Sequence, residues 1–196
     1  GSKFGGSPLL KADEFWPCCG HCHQPMQLFV QLDSQDLPVD ARTGFGDGVL
    51  QVFYCTNGEE DCEVLGHAHL PFSDASLVRM IPRQQADGFD ALPVGIPDAF
   101  VEQALTGWQC MVDFPDRQET VAINEDVPDG MVALLQAHRP APHAGDKFLG
   151  WPHWVTDVDY PPCSCCKKPM KFIFQIDSTD TLPFWFGNSG CAYVFQ

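Results

Sequence analysis

The chain of 196 residues is long enough for one large domain or two small ones with a real core, so disulfide staples are not compulsory. Its 26 acidic against 11 basic side chains give a formal charge of −15, which repels nucleic-acid backbones and anionic membranes. Ten cysteines that are clustered rather than distributed, with no signal peptide and no apolar run of transmembrane length, read as a reducing, cytoplasmic setting rather than a secreted disulfide framework.

Gly1-Ser2 has the look of a cloning remnant and is set aside. KFGGSP (3–8) then leads to PCCGHCHQPM (17–26), which holds the tetrapeptide CGHC. A thioredoxin-type CxxC needs a helix after its first cysteine, where amide groups and the helix dipole lower the thiol pKa. Here Pro25 and the segment QLFVQLD (27–33), in which Leu28, Val30 and Leu32 alternate with Gln27, Phe29, Gln31 and Asp33, deny the helix and predict a strand. Cys19 and Cys22 therefore read as half of a metal site. FGDGVLQVFYC (45–55) predicts a turn and a second strand that ends at Cys55, and Cys62 follows TNGEED. The pattern C19-x2-C22-x32-C55-x6-C62 supplies two pairs for a tetrahedral zinc ion that would clamp the start of one strand to the end of its neighbour. Four unligated core cysteines are the plainer alternative.

His67 and His69 in GHAHLPF have an H-x-H spacing that could set both imidazoles on one strand face, but no HExxH accompanies them and they read as a surface loop. SLVRMIP (76–82) and GWQCMVDF (107–114) predict strands. DAFVEQAL (98–105) and GMVALLQAHR (130–139) have helical spacing, with Asp98 and Asp129 placed to cap them. RPAPHAGDKF (139–148) is the linker candidate.

The remainder repeats the beginning. KFLGWPHWVTDVDYPPCSCCKKPMKFIFQIDS (147–178) lies on residues 3–34 at a constant offset of 144 without a gap, and thirteen of the 32 positions are identical. FGNSGCAYVFQ (186–196) aligns with 45–55, after one extra residue in the turn. Cys163 and Cys166 match Cys19 and Cys22, and Cys191 aligns with Leu50 as a core residue. The counterpart of Cys55 falls one position past Gln196, so a second site would be cut short, be vestigial, or borrow Cys165, Cys110 or a histidine. Asp157, Asp159 and Asp177 suggest paired carboxylates for acid–base work, but Asp33 and Asp177 recur after equivalent strands, where capping a turn explains them. No GxSxG, phosphate loop or dinucleotide fingerprint is present.

The predicted fold is α+β and predominantly antiparallel β: a single zinc-stabilised domain (3–196) of two pseudo-symmetric repeat halves (3–72 and 147–196), each with a CxxC knuckle, joined by an α/β segment (73–146). Together GGSP, WPCCGHCHQPMQLFVQLD, GDGVLQVFYCTN with a following CE, SLVRMIP, LGWPHWV, the C-x-x-C-x-x-PM-KFIFQID run and FGNSGCAYVF resemble the YwqG-like bacterial domain family of unassigned function. More distantly, the chain is similar to the C-terminal domain of programmed cell death protein two, a chaperone-type partner of a ribosomal protein. The resemblance implies metal ligation by the pairs matching Cys19, Cys22, Cys55 and Cys62, and implies no catalytic residue. Members found near polymorphic toxins imply an immunity role, and the eukaryotic relatives imply protection of a basic client. The expected function is thus a non-catalytic, zinc-stabilised binding protein whose acidic face takes a basic partner, a toxin or ribosomal-type client. A zinc-dependent hydrolase with an open coordination position is the competing class.

Overall fold

The computed structural model describes residues 1–10, 14–83, 96, 98–116, 118–119, 130, 133, 137, 141–178 and 180–196, with residues 43–44 described in their backbone only. The chain forms two compact units, Gly1–Gln109 and Cys110–Gln196, built mostly from antiparallel strands. Among the described residues no helix is long and apolar enough to cross a membrane.

In the first unit, strands β1 (Lys3–Phe4), β2 (Gln27–Asp33), β3 (Gly48–Tyr54), β4 (Ser76–Pro82) and β5 (Gln103–Ala104) form one antiparallel sheet in the order β4-β3-β2-β1-β5. Its two central strands are buried along nearly their whole length, so the alternation read in QLFVQLD separates an apolar face from a buried polar one rather than from solvent. Phe29, edge-on to Tyr54 and Phe100 with ring centroids 5.6 and 5.2 Å away, anchors the apolar face with Val30, Leu32 and Val52. On the other face lies an amide network. The Gln51 side-chain amide donates to Gln31 Oε1 (2.8 Å) and Leu9 O (2.9 Å), and its oxygen accepts from Arg79 Nε (2.8 Å). Gln51 is fully buried, and such a group is stable inside only because each polar atom finds a partner.

The second unit carries β6 (Lys147–Phe148), β7 (Phe172–Asp177) and β8 (Cys191–Phe195) in a three-stranded sheet. Its geometry follows the first at the 144-residue offset. Lys3 and Phe4 pair with Gln31 and Val30; Lys147 and Phe148 pair with Gln175 and Phe174. The β2–β3 ladder shifts register between Leu28 and Val30, and the β7–β8 ladder between Phe172 and Phe174. Leu9 N donates to Gln31 Oε1, and His153 N to Gln175 Oε1; Gln31 Nε2 donates to Gly1 O, and Gln175 Nε2 to Gly145 O. Asp33 opposes Val49 and Asp177 opposes Cys191, so Cys191 takes the place of Val49, one residue from the position the sequence alignment assigns. Ser2 also belongs to this scheme. It is buried, and its hydroxyl accepts from Asp33 N (2.8 Å) as Asp146 Oδ1 accepts from Asp177 N (2.7 Å).

The segments between the repeats depart from expectation. DAFVEQAL is no helix: Asp98 has φ of 57°, and Gln103–Ala104 pairs with β1. GWQCMVDF is irregular rather than a strand; its Asp113 carboxylate accepts from His143 N, Trp151 N and Lys147 Nζ at 2.8–3.0 Å, so this stretch caps a loop and leaves no ladder. Burial opposes ionisation of that carboxyl, but these donors outweigh it and hold Asp113 below the usual carboxylate range. Glu102 does similar work in the first unit, pairing with Lys3 at 2.7 Å. Gly6 and Gly150 stand beside these carboxylates with φ of 71° and 81°, and a Cβ on either would strike the acid. Of GMVALLQAHR only Gly130, Ala133 and Ala137 are described, each helical; Asp129 lies outside the described residues, as do residues 139–140 of the linker candidate, whose Lys147–Phe148 end is β6.

Candidate metal centre

The first knuckle is shaped by its backbone. Cys19 N donates to Gln24 O and His23 N to Cys19 O, both at 2.9 Å, and Met26 N closes the base on Pro17 O. His23 takes φ of 60° to complete the turn, and Pro25 and β2 follow directly, so no helix dipole addresses Cys19. Gly20 N donates to Asp74 O (2.8 Å), which brings the loop before β4 against the knuckle.

The second pair arrives from β3. Cys55 is the residue after that strand, its amide bonded to Ala75 O, and the chain then makes a compact loop in which Cys62 N donates to Asn57 O and Ala68 N to Cys62 O. The sulfurs of Cys19, Cys22, Cys55 and Cys62 all lie within 4.8 Å of one another, and this group could hold a metal ion. Cys22 Sγ is 3.6 Å from Cys55 Sγ, and Cys19 Sγ 4.0 Å from Cys62 Sγ. These separations bracket the sulfur–sulfur distance of about 3.8 Å in a tetrahedral site with metal–sulfur bonds of ~2.3 Å. They are too long for disulfides, and all four cysteines are free.

Cys19, Cys55 and Cys62 are buried and Cys22 partly so. Burial disfavours the thiolate of Cys22, yet hydrogen bonds from the Gln24 backbone, Asn57 and the neighbouring thiols outweigh it and bring the pKa down to about 7. Burial pushes Cys55 up to about 11 and raises Cys62 as well. Four sulfurs this close cannot all ionise without a cation between them. Ligand spacing gave no hint of Asn57 or of the Asp74 backbone contact, both of which lie outside the cysteine pattern.

The second knuckle repeats the turn without the pair. Cys163 N donates to Lys168 O, Lys167 N to Cys163 O and Met170 N to Pro161 O, with Lys167 at φ of 60°. Among the described residues no third ligand joins Cys163 and Cys166; neither Cys165 nor Cys110 completes a group. His67 and His69 lie in the exposed loop, their ring centroids 6.1 Å apart, with His69 Nδ1 against Glu63 O, and they too fall outside any ligand group. Asp33 caps the turn after β2 through Gln35 N (2.9 Å), while Asp157 and Asp159 are exposed. No curated protein matches the chain. The profile of a domain of unknown function, DUF1963, matches residues 2–195, and the chain belongs to that family.

Proposed function

We propose that the protein is a non-catalytic, zinc-stabilised binding domain, two copies of one knuckle-and-sheet unit, whose acidic surface takes a basic protein partner. The observation that carries the reading is the closed four-sulfur group: four thiolates fill a tetrahedral zinc shell and leave no position for water or substrate, which is the arrangement of a structural site. Zinc suits four soft donors at these separations. The charge of −15 supplies the complement for a basic surface and speeds its encounter. The YwqG-like resemblance, with its toxin neighbours, favours an immunity factor; the similarity to programmed cell death protein two favours a client chaperone. In either role a preformed acidic surface shields a basic partner in the cytoplasm.

Affinity capture with the zinc-loaded chain tests this. A stoichiometric basic protein, retained at low salt and released at high salt, is expected. A hydrolase activity abolished by chelation, with no such partner, would overturn the reading in favour of an open zinc site.

A further inference from the structure

The two units differ in how they satisfy one carboxylate. In the first, Asp33 at the end of β2 receives the Arg83 guanidinium through both Nη1 and Nη2, from the residue just after β4. Among the described residues the second sheet consists of β6, β7 and β8. Its equivalent carboxylate, Asp177, accepts from Gly145 N (2.9 Å), Ser178 N (2.8 Å) and the Cys191 thiol (3.2 Å), and forms no ion pair among the described residues.

Two metal-binding side chains stand where the first unit has apolar ones. His153 occupies the position of Leu9 and Cys191 that of Val49. A ring nitrogen of His153, a carboxylate oxygen of Asp177 and Cys191 Sγ all lie within 4.8 Å of one another. The backbone of His153 is pinned from both sides: its N–H donates to Gln175 Oε1 (2.8 Å) and its carbonyl accepts from Tyr193 OH (2.8 Å). Its Nδ1, by contrast, is buried with no hydrogen-bond partner among the described residues. A buried imidazole nitrogen is costly unless something takes it up. The backbone donors on Asp177 and the bonds that fix His153 orient the donors in the way outer-shell partners orient metal ligands. One carboxylate and one thiolate balance a divalent ion, and mixed nitrogen, oxygen and sulfur donors suit a metal of intermediate softness.

We propose that His153, Asp177 and Cys191 form a second metal site, for a divalent transition-metal ion such as Zn²⁺, with three protein donors and the remaining coordination open. The ion takes the electrostatic place that Arg83 holds in the first unit. On binding, the thiol proton that Cys191 shares with Asp177 is released to solvent and the sulfur becomes a thiolate ligand.

The test uses the full chain, stripped of metal and titrated with Zn²⁺ while native mass spectrometry reads stoichiometry. His153→Leu and Cys191→Val install the residues that the first unit carries at the same places, which favours a folded product; near-ultraviolet circular dichroism of the Trp154–Tyr193 cluster checks it. The wild type is expected to bind two equivalents, each variant one, and Cys163→Ser/Cys166→Ser two. With one Zn²⁺ equivalent bound, Co²⁺ added to the wild type should give a thiolate-to-cobalt absorption that Cys191→Val abolishes and Cys163→Ser/Cys166→Ser keeps; if Cys191→Val misfolds, the Cys163→Ser/Cys166→Ser protein carries this reading. A wild type that takes a single equivalent and shows no such absorption overturns the proposal, as does loss of the second equivalent in the Cys163/Cys166 variant instead.

Discussion

Removing the second cysteine pair with Cys55→Ser/Cys62→Ser asks the first knuckle to live as the second one does. The cost can be worked from the chain. Cys22 and Cys55 are 33 residues apart, and a cross-link closing a loop of that length removes about 12 cal/mol/K of unfolded-state entropy, or about 4 kcal/mol at room temperature. A metal bridge is such a cross-link, and a loss of this size is a large share of the roughly 5–15 kcal/mol that holds a domain together. For a unit of about 100 residues it lowers the melting temperature by roughly 15–25 °C. Calorimetry of the zinc-loaded wild type, the same protein in chelator, and the double variant measures it. Chelator should lower the first unit's transition by that amount, zinc should restore it, and the variant should start low and ignore both. Because the serines are buried, the wild-type response to zinc isolates the metal's contribution from the cost of the hydroxyls. A wild-type transition that moves by less than a few degrees on chelation would refute the clamp.

Gln51→Leu leaves Arg79 Nε without its acceptor and strips Leu9 O of its donor; denaturant titration should show a loss of about 2–4 kcal/mol, the cost of unpaired buried polar groups. Phe29→Ala empties a fully buried site between Tyr54 and Phe100 and should cost about 3–5 kcal/mol in the same titration. Burial alone would raise the Asp33 pKa, but the Arg83 hydrogen bonds outweigh it and hold the folded carboxyl below its ordinary value. Its stabilising contribution is therefore complete above the unfolded pKa of about 4 and disappears as pH falls through the lower folded value. Arg83→Gln should then move the acid-unfolding midpoint upward, followed by circular dichroism; an unchanged midpoint would remove the pair from the account.

Strand β2 was legible because its apolar residues alternate, β7 and β8 because they repeat β2 and β3, and the knuckles because the repeat singles out the CxxC cysteines from the residues between them. What the alternation could not show is that Gln31, Gln51 and Gln175 are interior; polarity signals a face, and only tertiary packing decides whether that face meets water. DAFVEQAL misled because helical spacing is a weak prior that a neighbouring strand edge overrides. Backbone pairing with β1 gives Gln103 and Ala104 partners that an isolated turn of helix would have to beat. GWQCMVDF misled in the opposite sense, since its Asp113 has loop donors to satisfy. His153, Asp177 and Cys191 could not be read as a group at all. They belong to a loop and two strands, Asp177 has an ordinary role as a turn acceptor, and Cys191 carries no partner at ligand spacing.

The two knuckles together separate what the backbone does from what a metal does. Both turns make the same three hydrogen bonds and the same left-handed residue, although only the first has four sulfurs around it. In the first unit the loop from Cys55 through Cys62 to β4 is held by short local turns and exposes Val64, Leu65 and Phe72. Local turns of this kind are worth little by themselves against the entropy of ordering the chain. A metal ion in the four-sulfur group would therefore act on this loop and on the seating of β4 beside β3, where Gly20 N donates to Asp74 O. A metal bound there would help hold β4 on the edge of a sheet whose other four strands, β3-β2-β1-β5, pair without it.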